Sequence, residues 1–238
     1  MPNCLMNSAL QVYETLKKKK YSRGEPYHKQ ELRRRLSYFT KNSKPIKLVG
    51  FWGVGPKSSS NWADEASCKF LAELDAEVKL NYQPGVAFTF VFSTLHGTHN
   101  GIDDGVINAY VDDMKGLFAE FGFRYMALEP LWKKYGISFK KVDQIFSQKA
   151  KGWWENIENS GVLEEAAKKR NRRLDPRTAA QKYYIMRGLE KEMLEKEFAD
   201  SIFHTFSDPN FRTVLPEMPT LYFYSWRKGR SDSPWFIT

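Results

Sequence analysis

The 238-residue sequence holds two cysteines, Cys4 and Cys68. That is too few for a disulfide framework, and they sit in no zinc-ligand spacing, so a reducing, cytoplasmic setting is expected. No stretch reaches the roughly 18 consecutive apolar residues of a membrane-spanning helix. Residues 1–20, MPNCLMNSALQVYETLKKKK, lack the charged, apolar, small-residue order of a secretory signal. Neither GxxxxGK[ST] nor GxGxxG occurs, so P-loop and dinucleotide fingerprints are excluded, and nothing resembles the G-x-S-x-G nucleophile elbow. No internal repeat or low-complexity linker divides the chain. At 42% hydrophobic residues, it can bury one sizeable core.

Positive charge is what the sequence has in excess. Net charge is +9 and the pI about 9.4. The excess falls in runs: Lys17 to Lys20, Arg33-Arg34-Arg35, and Lys168-Lys169-Arg170-Asn171-Arg172-Arg173. A phosphorylated small molecule needs two or three cations, whereas three separate basic clusters fit the footprint of a polyanion. A solvated basic surface is the plainer alternative. The nucleic-acid-binding candidates are therefore Arg33, Arg34, Arg35, Lys168, Lys169, Arg170, Arg172 and Arg173.

The stretch KLVGFWGVGPKSSSN, residues 47–61, organises the rest. It reads as a buried strand over 47–52, a Gly/Ser turn, and a helix that Asn61 caps with Asp64 three residues on. Such a turn presents backbone N–H groups and helix dipole to an anion. Gly53, Gly55, Lys57 and Asn61 are candidate substrate contacts, and one of Ser58, Ser59 and Ser60 is a candidate nucleophile. Helices are expected over 3–19, 27–42, 62–80 and 104–121, with strands at 86–93 and 123–128. A second polar loop, TLHGTHNGIDDG over 94–105, leaves the second strand. Beyond it come helical segments near 129–135, 138–149 and 151–173. A long helix runs from Pro176 to about 205, with Asp175 as cap. A turn follows at 207–210, then a strand over 220–226.

Strand–helix alternation predicts an α/β, Rossmann-like three-layer fold: a mainly parallel sheet with helices on both faces. The expected organisation is a helical arm at 1–45, a core at 46–128, a helical segment at 129–206 and a C-terminal strand and tail at 207–238. Loops beyond the strand carboxyl ends line the crevice of such a sheet, so the serine loop and the histidine loop are expected side by side. His96 is a candidate catalytic group, with His99 and Asn100 as substrate contacts. Metal binding by the H-x-x-H spacing, or a triad with Asp103, are alternatives. On the long helix, Tyr183 faces Arg187 at i+4 and Arg187 faces Glu190 at i+3. Glu190 is a candidate proton acceptor, with Tyr183, Tyr184 and Arg187 binding substrate. Trp153 and Trp154 are read as packing residues. No cofactor is expected.

These residues carry a family resemblance. Lys57-Ser58-Ser59-Ser60-Asn61 sits where the isocyanide synthases of the pyoverdine/dityrosine biosynthesis family have Lys-Ser-Pro-Asn. Tyr82-Gln83-Pro84-Gly85-Val86 is similar to their Tyr-x-Pro-Gly-Ala, and Ser233-Pro234-Trp235-Phe236 to their terminal Thr-Pro-Trp-His. The similarity spans 46–120 and 200–236. It departs where the family's Asp-Gly becomes His96-Gly97 and the terminal His becomes Phe236. The resemblance implies condensation of an aromatic amino acid with a sugar phosphate. A second likeness is to the cyclodipeptide synthases, whose Gly-x-Ser-x-x-Asn-Ser-Tyr motif is echoed by residues 55–61. It implies aminoacyl transfer from aminoacyl-tRNA through a serine. With the basic runs, the sequence favours that transfer, with the isocyanide synthase-like condensation and a non-catalytic RNA-binding module as alternatives. Expected partners are accordingly aminoacyl-tRNA, or an amino acid and a sugar phosphate, and no membrane.

Overall fold

The computed structural model describes residues 2–149, 152–207, 209–230 and 232–238, with side chains from Ser8 onward. Two N-terminal helices, α1 (Pro2–Leu16) and α2 (Lys29–Lys41), lead into strand β1 (Ile46–Trp52) and helix α3 (Trp62–Lys79). Strand β2 (Val86–Phe92) is followed by the short helix α4 (Thr94–His99) and by α5 (Asp104–Glu120). Strand β3 (Arg124–Ala127) then gives way to four helices: α6 (Leu128–Lys134), α7 (Phe139–Gln148), α8 (Ser160–Arg170) and α9 (Pro176–Glu197). Strands β4 (Ile202–Thr205) and β5 (Thr220–Tyr222) close the chain.

All strand pairings are parallel, in the order β3-β2-β1-β4-β5. Both faces are buried, as near-continuous apolar strands require. Ile46, Leu48 and Trp52 join one core with residues of α1, α2, α3 and α5. Val49, with Phe51 partly buried beside it, joins a second core with residues of α6, α7 and α9. This period-two alternation is the pleat itself. The result is the three-layer Rossmann-like arrangement expected from the sequence.

Helix starts follow local chemistry. Asn61 and Asp64 form a reciprocal capping box on α3. Asp175 caps α9 by accepting from Thr178 N–H at 3.0 Å, with Pro176 in the first turn.

The strand order places the site. Consecutive strands step one way from β1 to β2 and β3, and the other way from β4 to β5. The order thus reverses between β1 and β4, and ligands bind outside the carboxyl ends of strands at such a switch point.

Several expected elements differ. The histidine loop is partly helical, because 94–99 closes a short turn of α4 before Gly101 enters positive φ. The segment 151–173 begins at Lys151, outside the described residues, and then splits into a 3-10 turn at 153–156 and α8, broken where Asn159 adopts φ 63°. The long helix stops at Glu197, and residues 202–205 pair with β1 as β4. The last strand ends at Tyr222 rather than 226. Of the turn at 207–210, Asp208 lies outside the described residues.

Candidate active site

At the switch point lies a cavity of about 110 Å³. An engineered apolar cavity of roughly 150 Å³ holds a benzene ring, so the space suits a ligand group of about that size. Phe51, Gly53 and Val54 line it from the end of β1, Ser93, His96, His99 and Asn100 from the end of β2, and Thr205 and Ser207 from the end of β4. Helix α8 adds Leu163 and Arg170, helix α9 adds Tyr183 and Arg187, and the C-terminal segment adds Trp235 and Phe236. The two loops leaving β1 and β2 do lie together: a Cβ on Gly97 would meet Val54 at 3.5 Å.

Behind the lining residues His96 and Arg187 lies Glu190, which is fully buried. Its carboxylate accepts from Arg187 Nη1 at 2.8 Å, from Trp132 Nε1 at 3.0 Å and from His96 Nε2 at 2.8 Å. Arg187 Nε also donates to Tyr183 Oη at 3.2 Å, and its guanidinium lies 3.7 Å from the centroid of Phe51. The i+3 and i+4 pairings on α9 are thus those the helical spacing predicts.

Protonation states follow. Burial opposes ionisation of Glu190, but the neighbouring cation and the hydrogen bonds from His96 and Trp132 outweigh it and hold the carboxyl below the ordinary range. His96 is pushed down by burial first and by Arg187 second, against the pull of Glu190. The pair is therefore a carboxylate beside a neutral imidazole. An ionised carboxylate can only accept, so the imidazole proton sits on Nε2 and Nδ1 keeps its lone pair. Nδ1 is buried and meets no hydrogen-bond partner among the described residues. A carboxylate that orients an imidazole and leaves the other nitrogen basic is the arrangement of general-base catalysis. His99 donates to Ala179 O at 3.2 Å, and burial pushes its pKa down to about 4.

The serine loop is placed differently from expectation. Ser58 and Ser59 are exposed, Ser60 is bound through N–H and hydroxyl to Asp113, and none of the three lines the cavity. Lys57 is engaged by Asp64, Asn61 and the carbonyls of Pro234 and Ile237, so it offers no free charge to a substrate. Asn61 caps α3 and donates to Ile237 O. Gly55 gives its missing side-chain space to the C-terminal backbone: a Cβ there would stand 1.6 Å from Trp235 O. Asp103 caps α5, accepting from Gly105 N–H at 2.8 Å, so it forms no triad with the histidines. Tyr184 turns from the cavity toward Trp153 and Trp154, with ring centroids at 5.7 and 6.0 Å. That follows from the helix, since neighbouring residues point about 100° apart.

The basic runs also separate. Lys17, Lys18 and Lys20 pair with Glu25, Glu77 and Glu73. Arg34 and Arg35 pair with Glu31, and Arg35 also donates to Ser201 O at the amino end of β4, away from the crevice. Arg33 stacks on Tyr13. The Lys168–Arg173 run adjoins the cavity: Arg170 lines it, and Arg172 N–H donates to Asn100 O. Among the described residues none of these five cations pairs with a carboxylate.

Sequence reasoning missed Ser93, Trp132, Thr205 and Ser207 as members of the site, and placed Arg170 on an RNA face rather than in the crevice. Ser93 was legible as the first polar residue after an apolar strand. Trp132 had no local signal, since its contact spans 58 positions. Among the described residues no group of three or more His, Cys, Asp and Glu is arranged to hold a metal, and no helix is long and apolar enough to cross a membrane.

No family model matches the chain, and neither does any curated protein. Among solved structures, the chain superposes on the PvcA protein from Pseudomonas aeruginosa with a TM-score of 0.69 and 17% identity, over 96% of this chain and 87% of that one. This is the scaffold that the resemblance to the isocyanide synthases implied. Tyrosyl-tRNA synthetase from Aeropyrum pernix aligns at a TM-score of 0.49 and 13% identity, over 90% of this chain and 61% of that one.

Proposed function

We propose that the protein is a biosynthetic enzyme that condenses a free amino acid with a sugar phosphate, in the manner of the isocyanide synthases. The observation that carries this reading is the composition of the crevice: His96, held from behind by the buried Glu190, lines it together with Arg170, and Ser58, Ser59 and Ser60 do not. An acyl-carrier mechanism through the serine loop needs one of those hydroxyls there, and Ser58, Ser59 and Ser60 lie outside; the serine and threonine hydroxyls that do line it come from Ser93, Thr205, Ser207 and Ser233. A condensation needs what the crevice holds. Arg170 attracts a carboxylate or phosphate. His96 Nδ1 takes the proton that the substrate amine gives up as it adds to a sugar carbonyl, and returns it to the departing hydroxyl as water leaves. Glu190 keeps the imidazole oriented throughout, and Arg187 balances its charge. The shared scaffold supports the reading at the level of fold.

A tRNA-borne amino acid remains the second reading, because the exposed cations of 168–173 adjoin the mouth of the cavity. The test is incubation with aromatic amino acids and pentose or ketose phosphates, with and without charged tRNA, followed by mass spectrometry. A product that requires the sugar phosphate and ignores RNase supports condensation. A cyclic dipeptide that appears with charged tRNA alone overturns it.

A further inference from the structure

Lys57 and Asn61 lie beside the crevice yet reach no part of it, and what they hold is the C-terminal segment. After β5 the chain folds back through a turn in which Ser225 N–H donates to Arg230 O and Ser225 Oγ to Asp232 O. Residues 233–237 then cross the carboxyl ends of β4 and β1. Trp235 sits 5.6 Å from Trp52 and 6.3 Å from Phe206 by ring centroids. Gly53 and Gly55 admit it closely, a Cβ on Gly53 standing 2.2 Å from the indole Nε1. On its far side, Phe236 lies under the Arg170 guanidinium at 4.5 Å. The segment therefore bridges the β1 loop and α8 and forms one wall of the cavity.

We propose that Lys57 and Asn61 are positioning residues that clasp this segment, and that the clasped Trp235 and Phe236 govern access to the crevice and the size of ligand it takes. The clasp reads main chain alone. Lys57 Nζ donates to Pro234 O at 3.0 Å and Ile237 O at 3.2 Å, and Asn61 Nδ2 donates to Ile237 O at 2.7 Å. The side chains of 235 and 236 are left to the cavity. The clasp is itself anchored: Asp64, fully buried, pairs with Lys57 and accepts from Tyr110 Oη at 2.7 Å, and Tyr110 in turn accepts from Trp52 Nε1 at 2.9 Å. A buried ion pair with its remaining valences filled fixes geometry. This explains why a lysine beside a helix N-terminus serves no anion.

On the reading that the crevice is the active site, the segment selects the substrate. The test needs no turnover, so absence of product overturns that reading without touching this one. The full-length protein and its K57M, G55A and W235A variants are treated with diethyl pyrocarbonate, and modification of each of the four histidines is followed by peptide mass spectrometry. Hydrogen exchange of residues 233–238 is recorded in parallel. Exposed His28 and buried His204, on the other side of the sheet, are internal standards. We expect His96 and His99 to react about tenfold faster in each variant, and residues 233–238 to exchange about tenfold faster in K57M and G55A, with His28 and His204 unchanged. Because K57M leaves Asp64 unpaired, a rise at His204 would mark that variant as unfolded, and G55A and W235A, which keep the ion pair, then decide. Unchanged rates at His96 and His99 in these two variants overturn the proposal.

Discussion

Glu190 is the residue on which the crevice turns, because a fully buried carboxylate survives only with its charge met. Replacing it, Glu190→Gln, leaves Arg187 buried without its counter-ion and should destabilise the fold by roughly 3–5 kcal/mol, read from urea midpoints. Trp132→Phe removes one donor to the same carboxylate and should cost about 1.5–3 kcal/mol, while the protein stays folded. Its expected kinetic signature is a fall in kcat with KM nearly unchanged. His96 must be neutral to accept a proton, and its pKa lies below the ordinary value. Activity should therefore persist to pH values below about 6.5, with the acid limb of kcat/KM under that value. His204 gives a separate pH effect. Neither ring nitrogen has a hydrogen-bond partner among the described residues, the ring sits among Phe88, Phe90, Phe206 and Phe223, and burial pushes its pKa down to about 3. Above pH 6.5 this histidine adds no pH-dependent cost. As pH falls, the unfolded chain takes up a proton that the folded one refuses, so stability drops progressively toward pH 3. At pH 5 the loss should be about 2 kcal/mol, and a His204→Leu variant should lack it.

Among the elements, α9 carries most of the site, since Tyr183, Arg187 and Glu190 share one face of it. That face was legible in the sequence from spacing alone, and so was the start of the helix. Asp175→Ala should cost about 1 kcal/mol by loss of the cap, measured as a lowered urea midpoint with kcat little changed. The end of α9 was not legible. Ile202-Phe203-His204-Thr205 is four residues long, and its β-branched and aromatic character followed a helical pattern without a glycine or proline to mark the break. Its pairing with β1 is a long-range contact, which no local window contains. The strands β1 and β2 were legible because their apolar runs are long and end in polar loops. The serine loop was over-read. Glycines, a lysine and a helix N-terminus have the composition of an anion cradle, but the glycines here make room for Trp235 and the lysine serves the tail.

For the molecule as a whole, the parallel order and the position of the crevice followed from element alternation, and both are present in the structure. The net charge of +9 was a poorer guide. Much of the Lys17–Lys20 and Arg33–Arg35 excess is balanced by glutamates that are distant in sequence or one turn away, whereas the cations of 168–173, beside the crevice, pair with no carboxylate among the described residues. Pairing is a property of the fold and not of composition. The central claim is that chemistry resides in the Glu190–His96 pair and not in the serine loop. The most direct measurement compares product formation from amino acid and sugar phosphate by the wild type, His96→Asn, and the triple variant S58A/S59A/S60A. The account predicts a loss of about 10²–10⁴ in kcat for His96→Asn and a rate within about threefold of wild type for the serine variant, whose side chains line no part of the cavity. Full activity in His96→Asn with loss in the serine variant would contradict it.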